Sequence, residues 1–128
     1  MKVEFYRCAH CGNVAIKPFD SGVPLVCCGE QMQKLTANSE DAAVEKHVPV
    51  ITKSGNKVHI EVGSTLHPML PEHFITFICL VYEKGYQIVP LAAEQQPIAD
   101  FALPEEGKLL RVYEYCNIHG LWVAEYQE

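Results

Sequence analysis

Residues 48–62, VPVITKSGNKVHIEV, decide the fold. Val58, Ile60 and Val62 alternate with His59 and Glu61, the period of two that puts one face of a strand in a core and the other in water. KSGN (Lys53 to Asn56) is a turn signal between this run and VPVIT, so the pair predicts an antiparallel hairpin. Reading onward, HFITFICLVY (His73 to Tyr82), YQIVPL (Tyr86 to Leu91), LLRVYEYC (Leu109 to Cys116) and LWVAEY (Leu121 to Tyr126) are rich in β-branched and aromatic residues. Four or more such strands broken by turns predict an antiparallel sandwich or barrel. No segment carries the periodicity of an amphipathic helix, and His59, in mid-strand opposite the apolar positions, reads as solvent-facing.

Upstream, TANSEDAAVEK (Thr36 to Lys46) is polar and aperiodic and reads as a linker. It separates a cysteine-rich stretch from the β pattern, which predicts two domains, residues 1–36 and 37–128. A chain of 128 residues with 48% hydrophobic composition supports one ordinary core and a small appended module. Sixteen Asp and Glu against ten Lys and Arg, a net charge of −6, argue against nucleic acid as partner. The longest apolar run, Phe74 to Tyr82, is far short of a membrane span, and MKVEFYRCAH lacks the apolar stretch of a signal peptide. The expected location is the cytoplasm, where six cysteines stay reduced and read as thiolate ligands before disulfides.

Four of those cysteines are grouped. RCAHCGN (Arg7 to Asn13) holds Cys8 and Cys11 in a CxxC followed by glycine, and LVCCGEQM (Leu25 to Met32) holds the adjacent pair Cys27 and Cys28, again followed by glycine. Four thiolates suit tetrahedral zinc or iron, and the glycines let backbone N–H groups turn toward sulfur. Adjacent cysteines cannot both take the usual knuckle geometry, which makes a distorted iron site plausible beside a structural zinc knuckle. His10, inside the CxxC loop, reads as a solvated residue because four sulfurs already close a tetrahedron.

A second constellation is dispersed. His47 follows Glu45 and Lys46 in VEKHVP, His67 and His73 bracket a proline-stiffened loop in TLHPMLPEHF, and Cys116 and His119 share YCNIHGLW. Each histidine alone is more often a surface or hydrogen-bonded residue. Together they lie at strand ends, where loops on a rigid sandwich gather functional groups. Zinc is saturated by four donors, whereas iron accepts five or six and can leave one position open. A zinc protein with one structural and one hydrolytic site, a blue-copper carrier, and a Cys116/His119 nucleophile pair are the rival readings. No Met follows His119 in GLWVAEY as a copper loop would have, and no third group or oxyanion feature accompanies a nucleophile. Cys79, in an apolar run, reads as a small buried hydrophobe.

These motifs, CxHCGN, CCGEQM, EKHVP, HPMxPEH and CNIHGLW, resemble those of the desulfoferrodoxins, two-iron superoxide reductases, over essentially the whole chain. The resemblance implies a mainly β protein: a desulforedoxin-like N-terminal domain with Fe(Cys)4 on Cys8, Cys11, Cys27 and Cys28, then an immunoglobulin-like β-sandwich carrying the active iron. By position His47, His67, His73 and His119 would be its equatorial ligands and Cys116 its axial one. Phe77 stands where tryptophan is expected, a packing change. The implied reaction is one-electron reduction of superoxide to hydrogen peroxide, with rubredoxin as donor and a homodimer as assembly. Because a net charge of −6 repels an anion, a cation near the iron is needed, and Lys46 is the one adjacent in sequence to a ligand. Lys46 is therefore expected to attract superoxide and organise a proton-donating water. Glu45 is the family's candidate for closing the sixth position after turnover, which requires its loop to move.

Overall fold

The computed structural model describes residues 2–127 of the 128-residue chain. They form two compact units, Lys2–Thr36 and the remainder from Ala37. In the first unit β1 (Phe5–Arg7) is the middle strand of a three-stranded antiparallel sheet, between β2 (Val14–Ile16) and β5 (Gln33–Lys34). A two-residue ladder, β3 (Val26–Cys27) with β4 (Glu30–Gln31), forms a separate hairpin. The buried apolar side chains of the whole first unit are Val3, Phe5 and Cys8. So small a core supplies little of the free energy needed to order the unit, which leaves a large share to whatever the four cysteines bind.

The second unit is a sandwich of two antiparallel sheets. One runs β10 (Ile98–Ala102), β7 (Lys57–Val62), β6 (Pro49–Ser54); the other runs β12 (Gly120–Glu125), β11 (Leu109–Cys116), β8 (Ile75–Tyr82), β9 (Gly85–Pro90). This arrangement of three strands on four is immunoglobulin-like. The hairpin read from residues 48–62 is β6–β7, in register from Pro49↔Val62 to Ser54↔Lys57, with Gly55 at φ 61° in the turn, a conformation glycine adopts without strain. Val58, Ile60 and Val62 point inward against Ile75, Ile78 and Leu80 of β8 and Val112 of β11. Each of these fully buried aliphatic side chains contributes about 2 kcal/mol by removal from water. Cys79 is fully buried, and burial pushes its thiol up to about 12. Phe77 stacks on Tyr115 with ring centroids 5.9 Å apart.

Two features differ from the sequence reading. The stretch read as a linker ends in a single helical turn, α1 (Val44–His47), which carries Glu45, Lys46 and His47. Four residues are too few to show helical periodicity, so the turn is invisible to a pattern search. β10 was also not anticipated: only Ala99 and Phe101 of IADFA face the core. Among the described residues no helix is long and apolar enough to cross a membrane.

Candidate metal centres

One end of the sandwich brings His47, His67, His73, Cys116 and His119 together, their ligand-type atoms all within 4.8 Å of one another. Each arrives on a different support. His47 ends α1, and its Nδ1 lies 2.7 Å from the carbonyl of Ala43. His67 follows β7 through a short loop, with its amide donating to Val62 (2.8 Å) and its Nδ1 2.6 Å from the carbonyl of Pro68. His73 sits in the bridge Leu70↔His73 just before β8. Cys116 ends β11 where the ladder with β8 slips between Tyr115 and Cys116, an irregularity of the kind that re-aims a side chain. His119 closes the β11–β12 turn, and Gly120, at φ 80°, lets the chain reverse there.

The four imidazoles form a closed ring in the order His47, His67, His73, His119. Neighbouring centroids are 4.7–5.0 Å apart and neighbouring planes meet at 72–86°. The two Nδ1-to-carbonyl contacts fix the tautomers of His47 and His67 with N–H outward, which turns bare Nε2 lone pairs inward. His47 Nε2 then lies 3.2 Å from His67 Nε2 and 3.2 Å from His119 Nδ1, while His73 Nε2 is buried without a hydrogen-bond partner among the described residues. Converging lone pairs with no proton between them repel one another unless a cation is shared. Nitrogens bound at right angles to one ion at ~2.1 Å would stand ~3.0 Å apart, close to the spacing found.

Electrostatics agree. Burial lowers the pKa of His47 and His73 and takes His67 down to about 4, so these rings are neutral at physiological pH, the form a metal needs. The His119 ring and the Lys46 ammonium act in the same direction on His73, so the Lys46 charge is felt at the ring of imidazoles. Cys116 is fully buried, 3.5 Å from His67 Nε2, and receives the His119 amide at 3.4 Å. Burial raises its pKa, so a bound cation is what would hold it as thiolate. The donor set thus fits a metal that accepts five ligands, which favours iron over zinc.

Supporting residues came to light that the sequence reading passed over. Trp122 stacks on His47 at 4.9 Å and donates its indole N–H to the His119 carbonyl at 3.0 Å. Asn117 accepts from the Phe74 amide (2.9 Å) and donates to the Glu72 carbonyl (3.0 Å), tying the His73 loop to the Cys116–His119 corner. Its place between Cys116 and His119 was the available signal. Glu114 lies two residues before Cys116 with both carboxylate oxygens buried and without a hydrogen-bond partner among the described residues, and burial raises its pKa well above the ordinary range. Lys46 and Glu45 are both exposed on α1.

In the N-terminal unit the sulfurs of Cys8, Cys11, Cys27 and Cys28 also lie within 4.8 Å of one another, and none is in a disulfide. Adjacent Cys27 and Cys28 both reach the cluster because Cys28 takes φ 54° and Gly29 φ 75°, a left-handed pair that re-aims the chain. The Cys11 amide donates to Cys8 Sγ at 3.5 Å and is the chief cause of a Cys8 pKa drawn down to about 6. Cys28 is pushed up to about 12, chiefly by its contact with Cys11. Four thiolates within 4.8 Å of one another repel, so they cannot all be ionised without a cation among them. His10 is exposed and 2.6 Å from Glu30.

Comparison with known proteins agrees with both halves. Residues 1–35 match the family described as Desulfoferrodoxin, N-terminal domain, and residues 39–125 the one described as Desulfoferrodoxin. A desulfoferrodoxin of Clostridium acetobutylicum is 42% identical over 123 residues, 96% of each chain. A superoxide reductase of Pyrococcus abyssi is 37% identical over 114 residues, covering 75% of this chain and 98% of its own. The crystal structure of the superoxide reductase from Treponema pallidum superposes with a TM-score of 0.83 at 34% identity, covering 98% of this chain and all of its own. The chain belongs to the desulfoferrodoxin family.

Proposed function

We propose that His47, His67, His73, His119 and Cys116 hold the iron at which this superoxide reductase converts superoxide to hydrogen peroxide, and that Cys8, Cys11, Cys27 and Cys28 hold a second iron. Residues 1–36 are then the Fe(Cys)4 domain and residues 37–128 the reductase domain. The observation that carries the reading is the closed ring of imidazoles with inward nitrogens, backed on the buried side by the Cys116 thiol.

Iron, when bound, supplies one electron to superoxide. The chain's own residues do the rest. Carbonyls of Ala43 and Pro68 orient His47 and His67. Trp122 packs against His47 and keeps water from its ring face. The exposed Lys46 offsets the repulsion of a −6 chain for an anion and binds a water that can deliver a proton to the product. To Glu45, one residue earlier and exposed on the same turn, we assign the closing of the site between turnovers, as the family resemblance implies, through movement of its loop. Rubredoxin as donor and a homodimer are supported by the family resemblance, and a cytoplasmic location by cysteines that are free of disulfides and gathered as ligands.

The test is metal analysis of the whole protein and of His67→Ala and Cys11→Ser. Loss of one iron from each variant, with the other visible absorption unchanged, is expected. If His67→Ala kept both irons with unaltered spectra, the His-rich ligand set would be wrong.

A further inference from the structure

We propose that Gly63, Ser64 and Thr65 clamp the Glu45–Lys46 peptide and so aim the Lys46 ammonium at the face of the imidazole ring where superoxide reacts; the inference rests on the role given to Lys46 above. α1 cannot hold itself. It is one turn long, below the length at which helices propagate, and its N-cap, Ala43, offers no side-chain hydrogen bond. Its position is set from outside, by the loop that leads from β7 to His67.

The Glu45 carbonyl accepts the Thr65 amide at 3.0 Å and the Ser64 hydroxyl at 3.2 Å. That oxygen and the Lys46 N–H belong to one rigid peptide plane, and the Lys46 N–H in turn donates to the Ala43 carbonyl at 3.2 Å. Both ends of the plane are therefore tied in this conformation, which sets the direction in which Lys46 leaves the backbone; the loop movement that brings Glu45 to the site breaks these bonds. Gly63 makes the approach possible. A Cβ there would stand 2.6 Å from Glu45 O, 3.0 Å from the Lys46 carbonyl carbon and 3.1 Å from Val48 O, all backbone atoms that cannot swing aside. Gly63 does not adopt a left-handed φ, so close approach, not turn geometry, is what requires glycine. The same loop closes on itself through His67 N to Val62 O at 2.8 Å and delivers the ligand His67, so one segment both sets a ring nitrogen and ties the peptide from which Lys46 leaves.

Gly63, Ser64 and Thr65 are positioning residues, and two readouts on the iron-loaded full chain test them: amide exchange at Lys46, and the second-order rate with superoxide as a function of salt. In Ser64→Ala, Lys46 exchange should quicken roughly threefold to tenfold, the weight of one hydrogen bond. Its rate at low salt should fall toward that of Lys46→Ala with a flatter salt dependence, and Ser64→Thr should restore both. Gly63→Ala should do the same more strongly, and adding Ser64→Ala to Lys46→Ala should cost no further rate. Unchanged Lys46 exchange in Ser64→Ala and Gly63→Ala, with Lys46→Ala still slow, overturns the clamp and leaves the Lys46 role standing. Wild-type rate and salt dependence in Lys46→Ala overturn that role, and the aiming with it, whatever the exchange shows.

Discussion

Replacing Lys46 by alanine isolates the steering charge. Lys46 is exposed on α1, its ammonium makes no hydrogen bond among the described residues, and alanine is the better helix former, so the turn should persist. An anion ~6 Å from an ammonium in water-like surroundings gains an attraction of about one RT, which is roughly a threefold higher encounter rate. At an effective dielectric half that of water the factor is about tenfold. With a Debye length of about 10 Å at 0.1 M, salt removes nearly half of that attraction at this distance. What remains after substitution is the repulsion from a chain of net charge −6, now −7. The wild-type rate should therefore fall with added salt, whereas the rate of Lys46→Ala should start three to ten times lower and stay flat or rise. Rapid generation of superoxide over the reduced protein at two or more ionic strengths measures both. The same salt slope in the two proteins would refute the reasoning, even if the variant were slower.

Asn117→Ala should strand the Phe74 amide and release the His73 loop from the Cys116–His119 corner. The expected cost is about 1–3 kcal/mol in urea unfolding and about tenfold weaker iron retention at the His-rich site; unchanged retention would count against that tie. His59 tests a pH effect remote from the metal ligands. Asp100 first, then Glu61, raise its pKa, with contacts of 2.7 and 3.2 Å. Since the folded pKa lies above the unfolded one, the stabilisation is complete below the unfolded value, about 6.5, and disappears as pH rises through the folded value. The ring is well exposed, so the effect is small, under about 1 kcal/mol. Asp100→Asn should shrink the loss of stability on raising pH from 6 to 8, as read by denaturant midpoints; an unaltered loss would show that the contact is not what titrates.

How much of this could be read from the chain varied with length scale. The β6–β7 hairpin was legible because Val58, Ile60 and Val62 alternate cleanly over six residues and Gly55 marks the turn. β8 was legible as an apolar run. β10 was not, because Ala99 contributes little apolar signal and the strand is only five residues long. α1 lay hidden in a polar stretch since VEKH spans a single turn, and its stability comes from the Gly63–Thr65 loop rather than from its own residues. The cysteine group announced itself by local spacing, whereas the His-rich group spans residues 47 to 119 and is assembled only by the sandwich. What sequence could not give was its support: the tautomer-fixing carbonyls of Ala43 and Pro68, the Trp122 stack and the Asn117 tie are backbone and tertiary facts.

The central claim is that this site reduces superoxide and does not dismutate it. The direct measurement is the product ratio when the fully reduced, iron-loaded protein meets superoxide under anaerobic conditions, with hydrogen peroxide and oxygen quantified together. One peroxide per superoxide consumed, with no oxygen beyond the spontaneous background, is the predicted result. Oxygen appearing with peroxide in equal amounts would make the site a dismutase and contradict the account.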